Sequence, residues 1–294
     1  MDPQTQLLQL LFAGVSTGSI YGIIAVGFNV IFKSTGAINF TQGEWVMIGG
    51  MLSAFFFVSF DSPIWVACAA AVLCIGVLGV LSERFVIEPL RNPSPVTLTL
   101  VTIGLAIVTK SGVMLTLGKN PAGYPGFSGE TPIMIAGASL HPQTVWIIVV
   151  AALFMLAVHF FFERTLTGKA MRAAAADREV AVLMGVRVRH ATMMAFAIAA
   201  LAGGVAGAII TPLTFTSYDH GTVLGFKGFS AAMLGGVGNL YGAMVGGLLL
   251  GILESLAGGY ISSQFKDAVA FMVLLGILFF RPTGLFGHKE IEKV

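Results

Sequence analysis

TGKAMRAAAADREVAVLMG, residues 167–185, is a polar interruption in an otherwise lipid-soluble chain, and it sets how the rest is read. Arg164, Lys169, Arg172, Arg178, Arg187 and Arg189 lie in or beside it, between two long apolar runs. Lys and Arg concentrate in loops left on the cytoplasmic side of a membrane. Residues 170–184 have the composition of one good helix, rich in Ala, Met, Leu, Arg and Glu, with Gly185 as its C-terminal stop. Such a helix is expected to turn Met171, Ala174, Ala175, Val182 and Leu183 to one side, with Arg172, Asp177, Arg178 and Glu179 spread over the others. Small Ala side chains suit close docking into another protein. A helix lying on lipid would favour Leu and Phe.

Working outward, the 294 residues are 56% hydrophobic and 10% charged, with a mean hydropathy of +0.90. Soluble domains carry about 25% charged residues, so the chain is an integral membrane protein, all-α and polytopic. The 37 glycines suit helices packed backbone to backbone in lipid. A net charge of +2 is too mild to argue for nucleic acid, and loop topology accounts for it. Cys68 and Cys74 share one apolar run, which favours core packing over a disulfide or a metal. The first ten residues lack the basic start of a secretory signal, and the apolar run is too long for one, so it is expected to stay as a span.

Apolar runs at residues 7–32, 45–60, 64–81, 96–117, 145–162, 191–213, 240–257 and 265–280 predict about eight full spans, since about 20 residues cross the hydrocarbon core. Residues 229–238 are too short and read as a broken, half-spanning helix, tolerated only against protein or a water-filled cavity. The run at 7–32 is long enough to require tilt or bending. Counting the short piece as one crossing puts the N-terminus outside and the C-terminus inside. Lys33, Arg84, Arg91, the central cluster, Arg281, Lys289 and Lys293 are then cytoplasmic. Lys110, Lys119, Lys227 and Lys266 fall on the outer side. The whole chain, 1–294, reads as one transmembrane domain holding a cytoplasmic loop at 163–190 and an external loop at 118–144.

Gly14, Gly18 and Gly22 recur every fourth residue, as do Gly238, Gly242 and Gly246, and small residues at this spacing let helices approach closely. GSIYG at 18–22 echoes GNLYG at 238–242, which leaves open an internal duplication. In the external loop, residues 132–142 predict two short strands around Ala136-Gly137.

No phosphate-binding loop, metal-ligand spacing or nucleophile context is present: Gly118-Lys119 and Gly168-Lys169 lack the upstream glycine, and the five histidines are scattered. Catalysis by this chain is not expected. Ionisable groups in the spans mark paths or pairs. Glu254 is placed near the outer end of its span, either snorkelling or packing between helices, or on a path. Glu44 follows Asn39, Phe40, Thr41, Gln42 and Gly43, a polar break before a span. With these groups near span ends, coupling to an ion gradient is disfavoured. Asn39, Gln42, Thr97, Thr99, Thr102, Ser230 and Asn239 complete the polar residues with access to a path, or else bond between helices.

The ordered set of GSIYG, INFTQGEWVMIGG, EPLRNPSP, TGKAMRAAAADREVAVLMGV, GFKGFSAAMLGGVGNLYGAMVGGLLLGILESL and RPTGLFG, spread over residues 14–287, strongly resembles permeases of the branched-chain amino acid ABC importer family, the shorter of its two permease types. The resemblance implies a multi-pass permease of the bacterial inner membrane in an ATP-driven importer. It would pair with a paralogous permease subunit, sit on two cytoplasmic ATPase subunits that hold the ATP and Mg²⁺, and receive an amino acid from a periplasmic binding protein. No cofactor would sit on this chain. Arg172, Asp177, Ala181 and Gly185 fall in the family's ATPase-coupling loop. Asn39, Gln42, Glu44, Ser230, Asn239 and Glu254 are the candidates for a translocation path. Many members have Ala-His where this chain has Thr41-Gln42, and Arg where it has Glu88 before Pro89. Cargo therefore stays open between a branched-chain or other hydrophobic amino acid, urea or amides, and aromatic acids. A stand-alone secondary carrier or channel is the rival reading.

Overall fold

A computed structural model describes residues 3–90, 93–129, 131–135 and 137–287. Arg91, Ala136, His288, Lys289 and Lys293 lie outside the described residues. The helices are α1 (Pro3–Thr35), α2 (Gln42–Ser59), α3 (Ile64–Ser82, prolonged by a π-helical turn Glu83–Ile87), α4 (Pro95–Thr116), α5 (Pro142–Arg164), α6 (Leu166–Ala176), α7 (Arg178–Leu183), α8 (Val188–Thr214), α9 (His220–Gly235), α10 (Leu240–Tyr260) and α11 (Lys266–Phe280). Six of them, α1, α3 with its π turn, α4, α5, α8 and α10, are long and apolar enough to cross a membrane, and α2, α9 and α11 are shorter. The α4–α5 connection holds an antiparallel hairpin of β1 (Ile133–Ile135) and β2 (Ala138–Leu140), with Met134 opposite Ser139.

Helix α1 is the axis of the fold. Every residue from Gly18 to Ile31 is buried, and a helix that is apolar all round belongs inside a bundle. Its 33 residues would span about 50 Å. Helices α8, α9 and α10 pack around it, and α2 and α3 pack in turn on α8. Gly14, Gly18 and Gly22 face α10, where a Cβ on Gly18 would lie 2.8 Å from the Gly247 carbonyl. Gly242 and Gly246 face α9 instead, each within 2.3 Å of a backbone oxygen if given a Cβ. Gly238 does a different job: it lies between α9 and α10 with φ +82° and packs against no helix backbone. It needs glycine for its conformation, not for close approach.

A Cβ on Gly247 would sit 2.3 Å from Gly22 N and 2.4 Å from Gly22 Cα. Because the obstacle is backbone, no rotamer change relieves it. Gly247→Ala is expected to destabilise the fold by about 1–3 kcal/mol. Gly104→Ala, on open α4 with nothing within 4 Å, is expected to be neutral or to stabilise by up to about 1 kcal/mol. Denaturant midpoints of the two variants in detergent test the contrast.

Three expectations are corrected. The short segment at 229–238 belongs to a helix that begins at His220 and ends at Gly235, 16 residues or about 24 Å. The loop helix expected at 170–184 is two helices, α6 and α7, broken at Asp177. Cys74 is exposed rather than in the core, and Cys68 is half-buried against the Tyr124 hydroxyl.

Candidate translocation path and loop

Gly36, at φ +68°, ends α1, and the chain turns back before α2 begins at Gln42. The turn is built from side chains. Asn39 Oδ1 accepts from Thr41 N at 3.1 Å, Phe40 N donates to Thr102 Oγ1 at 3.1 Å, and Thr41 Oγ1 donates to the Thr102 carbonyl at 2.9 Å. Gln42 is fully buried and donates through Nε2 to the Ala199 carbonyl at 2.9 Å. Ala199 lies near the midpoint of α8, so the polar break is drawn deep into the bundle. Gly27 leaves the room for it, since a Cβ there would be 2.2 Å from Gln42 Nε2. Three buried polar atoms on this stretch, Asn39 Nδ2, Gln42 Oε1 and Glu44 Oε2, have no hydrogen-bond partner. Each such group costs about 1–3 kcal/mol, so a run of three within six residues calls for a structural reason.

Helix α9 passes directly against this turn. A Cβ on Gly43 would lie 2.2 Å from the Gly221 carbonyl and 2.7 Å from Gly225 Cα. Two residues beyond Gly225, Lys227 is buried and its Nζ donates to Glu254 Oε1 at 2.7 Å. Tyr21 Oη donates to the other carboxylate oxygen at 2.9 Å, and Lys266 Nζ lies 3.8 Å away. Glu254 is therefore packed between helices, one of the readings its sequence position left open, and Lys227 is buried against it. The pair sits opposite Tyr21, close to the middle of α1, where an unpaired charge would be costly. Glu44 lies in the first turn of α2 and Glu254 six residues before the end of α10, and both are buried inside the bundle.

Ser230 spends its hydroxyl on the Phe226 carbonyl of its own helix at 2.8 Å. Asn239 caps α10, accepting from Gly242 N at 3.0 Å, and donates to the Phe286 carbonyl at 2.9 Å. Thr99 bonds within its own helix, and Thr97 N is capped by Ser94 Oγ. Asn29 was missed in the sequence. Its amide donates to the Gly236 and Asn239 carbonyls at 3.1 and 2.9 Å and accepts from Gly238 N at 3.1 Å, tying α1 to the α9–α10 turn. A single Asn in the apolar run GIIAVGFNVIF was the available signal.

In the loop, Thr165 caps α6 through Gly168 N, and α6 is pressed onto the end of α5: a Cβ on Gly168 would be 2.2 Å from the Phe161 carbonyl. Met171 and Ala181 are buried, whereas Val182 and Leu183 are exposed, so the single apolar side expected from the sequence does not exist. Asp177 has an extended backbone, so α7 does not continue the helical faces of α6. Asp177 Oδ1 accepts from Glu179 N and Val180 N, both at 3.0 Å, the cap that starts α7. Asp177→Ala is expected to cost about 1 kcal/mol of local stability, read as faster amide exchange at Val180 with spans unaffected. Arg172 pairs with Glu163 at 2.6 Å. Gly185 has φ +81° with nothing within 4 Å of an added Cβ. A cleft of about 810 Å³ separates the loop from α1 and α10, with Lys33, Arg172, Asp177 and Tyr241 on its walls.

The geometry comprises a buried polar break, the 16-residue α9 packed against it and a separate basic loop. The family model described as "Branched-chain amino acid transport system / permease component" matches residues 10–278. The chain belongs to this family. LivH, the high-affinity branched-chain amino acid transport system permease protein of Escherichia coli K12, is 35% identical over 98% of this chain and 97% of its own length. LivH of Salmonella typhimurium LT2 is 34% identical with the same coverage. BraD, a permease protein of the same description from Pseudomonas aeruginosa PAO1, is 34% identical over 98% of both chains. As a permease component, the chain is a multi-pass, all-α membrane protein, and both the deep break and the loop lie inside the matched region.

Proposed function

We propose that this chain is the transmembrane permease subunit of an ATP-driven importer in the bacterial inner membrane, carrying a branched-chain or other hydrophobic amino acid. What carries the reading is the 34–35% identity, over nearly the whole chain, to permeases named for branched-chain amino acid transport. A paralogous permease would complete the membrane unit. Two ATPase subunits would bind ATP and Mg²⁺ beneath it, and a periplasmic binding protein would deliver cargo. The basic loop then faces the cytoplasm with the C-terminus, and the N-terminus lies outside, in keeping with the distribution of Lys and Arg.

The packing supports a mechanical role for the loop. Helix α6 bears on α5 through backbone contact at Gly168, and Val186 N donates to the Ala181 carbonyl at 2.9 Å just before α8 begins. Displacement of α6 and α7 by an ATPase would therefore move α5 and α8, and α8 holds Gln42 at the deep break. Reconstitution in proteoliposomes tests the whole: uptake is expected only with ATP, the ATPases, the second permease and the binding protein together. Concentrative uptake by this chain alone would instead mark a secondary carrier or channel.

A further inference from the structure

We propose that the cavity between α2, α4 and α9 binds a free hydrophobic α-amino acid inside the membrane, with Glu44 taking the ammonium group and Lys110 the carboxylate. The proposal rests on the permease reading and adds to it the place where cargo is held. The cavity has a volume of about 450 Å³, within the range of roughly 300–1,000 Å³ found for small-molecule sites. Its walls are apolar, from Phe28, Phe40, Ile103, Ile107 and Phe226, and Glu44, Lys110 and Thr222 bring the polar atoms.

Glu44 is 4% exposed. Its Oε1 accepts from Thr222 Oγ1 at 3.2 Å, and its Oε2 has no hydrogen-bond partner. A buried carboxylate oxygen left unpaired is costly, and an ammonium group with three donors supplies what it lacks. Glycine keeps the approach open: a Cβ on Gly221 would lie 2.6 Å from Oε2.

Lys110 Nζ lies 3.5 Å from Thr222 Oγ1 and 5.8 Å from the centre of the Tyr218 ring. The Thr222 hydroxyl has one proton and two lone pairs. It donates to Glu44 and faces the Lys110 ammonium with a lone pair, which holds anion and cation in series instead of in direct contact. An α-amino acid carries the complementary pair of charges, ammonium and carboxylate, on one carbon. An amine, an acid or a neutral amide satisfies only one end, and a site built around two charges rejects a ligand lacking one.

The test is equilibrium binding to the assembled permease–ATPase complex without the binding protein, alongside ATP-driven uptake by the complete system. Leucine and phenylalanine are the probes. The discriminating analogues are 4-methylpentanoate, which lacks the ammonium of leucine, and 3-methylbutylamine, which lacks its carboxylate. Both are expected to bind about tenfold or more weakly than leucine. Glu44→Gln should weaken leucine and close the gap to 4-methylpentanoate to below about threefold, while Lys110→Met closes the gap to 3-methylbutylamine. Gly221→Ala should weaken both probes by covering Oε2. Absence of binding by both probes, or unchanged gaps in the two charge variants, overturns the site while normal uptake leaves the permease reading standing. Loss of ATP-driven uptake in the complete wild-type system overturns that reading instead.

Discussion

Arg172→Glu leaves the chain folded and inserted while ATP-driven uptake by the assembled transporter falls to background. The stability side of this expectation follows from exposure. The Arg172–Glu163 pair has side chains 38% and 44% exposed, and ion pairs of this kind contribute about 0–1 kcal/mol. Reversing the charge sets two carboxylates side by side, a repulsion that water and salt screen. The functional side follows from position: Arg172 lies on the cleft wall, in the loop proposed to meet the ATPases. Gly185→Trp reaches the same result by bulk. Nothing lies within 4 Å of a Cβ at Gly185, so the indole projects outward into docking space, and the left-handed backbone costs only about 1–2 kcal/mol. Gly185→Asn, which tolerates that conformation, retains uptake. The checks are uptake with each variant, and ATPase activity of the complex in response to loaded binding protein. Full uptake in both Arg172→Glu and Gly185→Trp removes the loop from the coupling route.

Lys227→Met produces the larger loss of stability. It deprives the Glu254 carboxylate of its 2.7 Å partner at a buried position, leaving Tyr21 and the more distant Lys266. Breaking a buried ion pair from one side costs about 3–5 kcal/mol. Much of that is the penalty of a charge without its counter-charge, so the double change Lys227→Met with Glu254→Leu is expected to recover most of it. Denaturant midpoints for the four proteins of the cycle give the coupling directly. A double variant no more stable than either single one would mean the pair is held for another purpose, such as solute passage.

Much of the fold was legible because its signals add up along the chain. Hydropathy over windows of about 20 residues marks the spans. The basic run at 164–189 marks the loop, and Gly185 marks where its helical stretch stops. The candidate path was legible only as a set of residue types. Asn39, Gln42 and Glu44 stood out as a polar break, but their depth did not, because depth depends on Gly27 and Ala199, far away in sequence. Glu254 stood out as an ionisable group in a span, but its partners did not, because Tyr21 and Lys227 reach it only through the packing of α1 and α9 against α10.

The residues alone determined that the chain is helical, membrane-embedded and interrupted at two places, since propensity and transfer free energy are properties of short segments. Only the tertiary structure decided which charge meets which. Tyr21 and Glu254 stand 233 positions apart, and they meet because Gly18, Gly22, Gly247 and Gly251 let two backbones close to contact. In a bundle whose helix faces are almost uniformly apolar, hydropathy does not select a register. The fit of backbone against backbone does, and it carries the polar side chains to their partners.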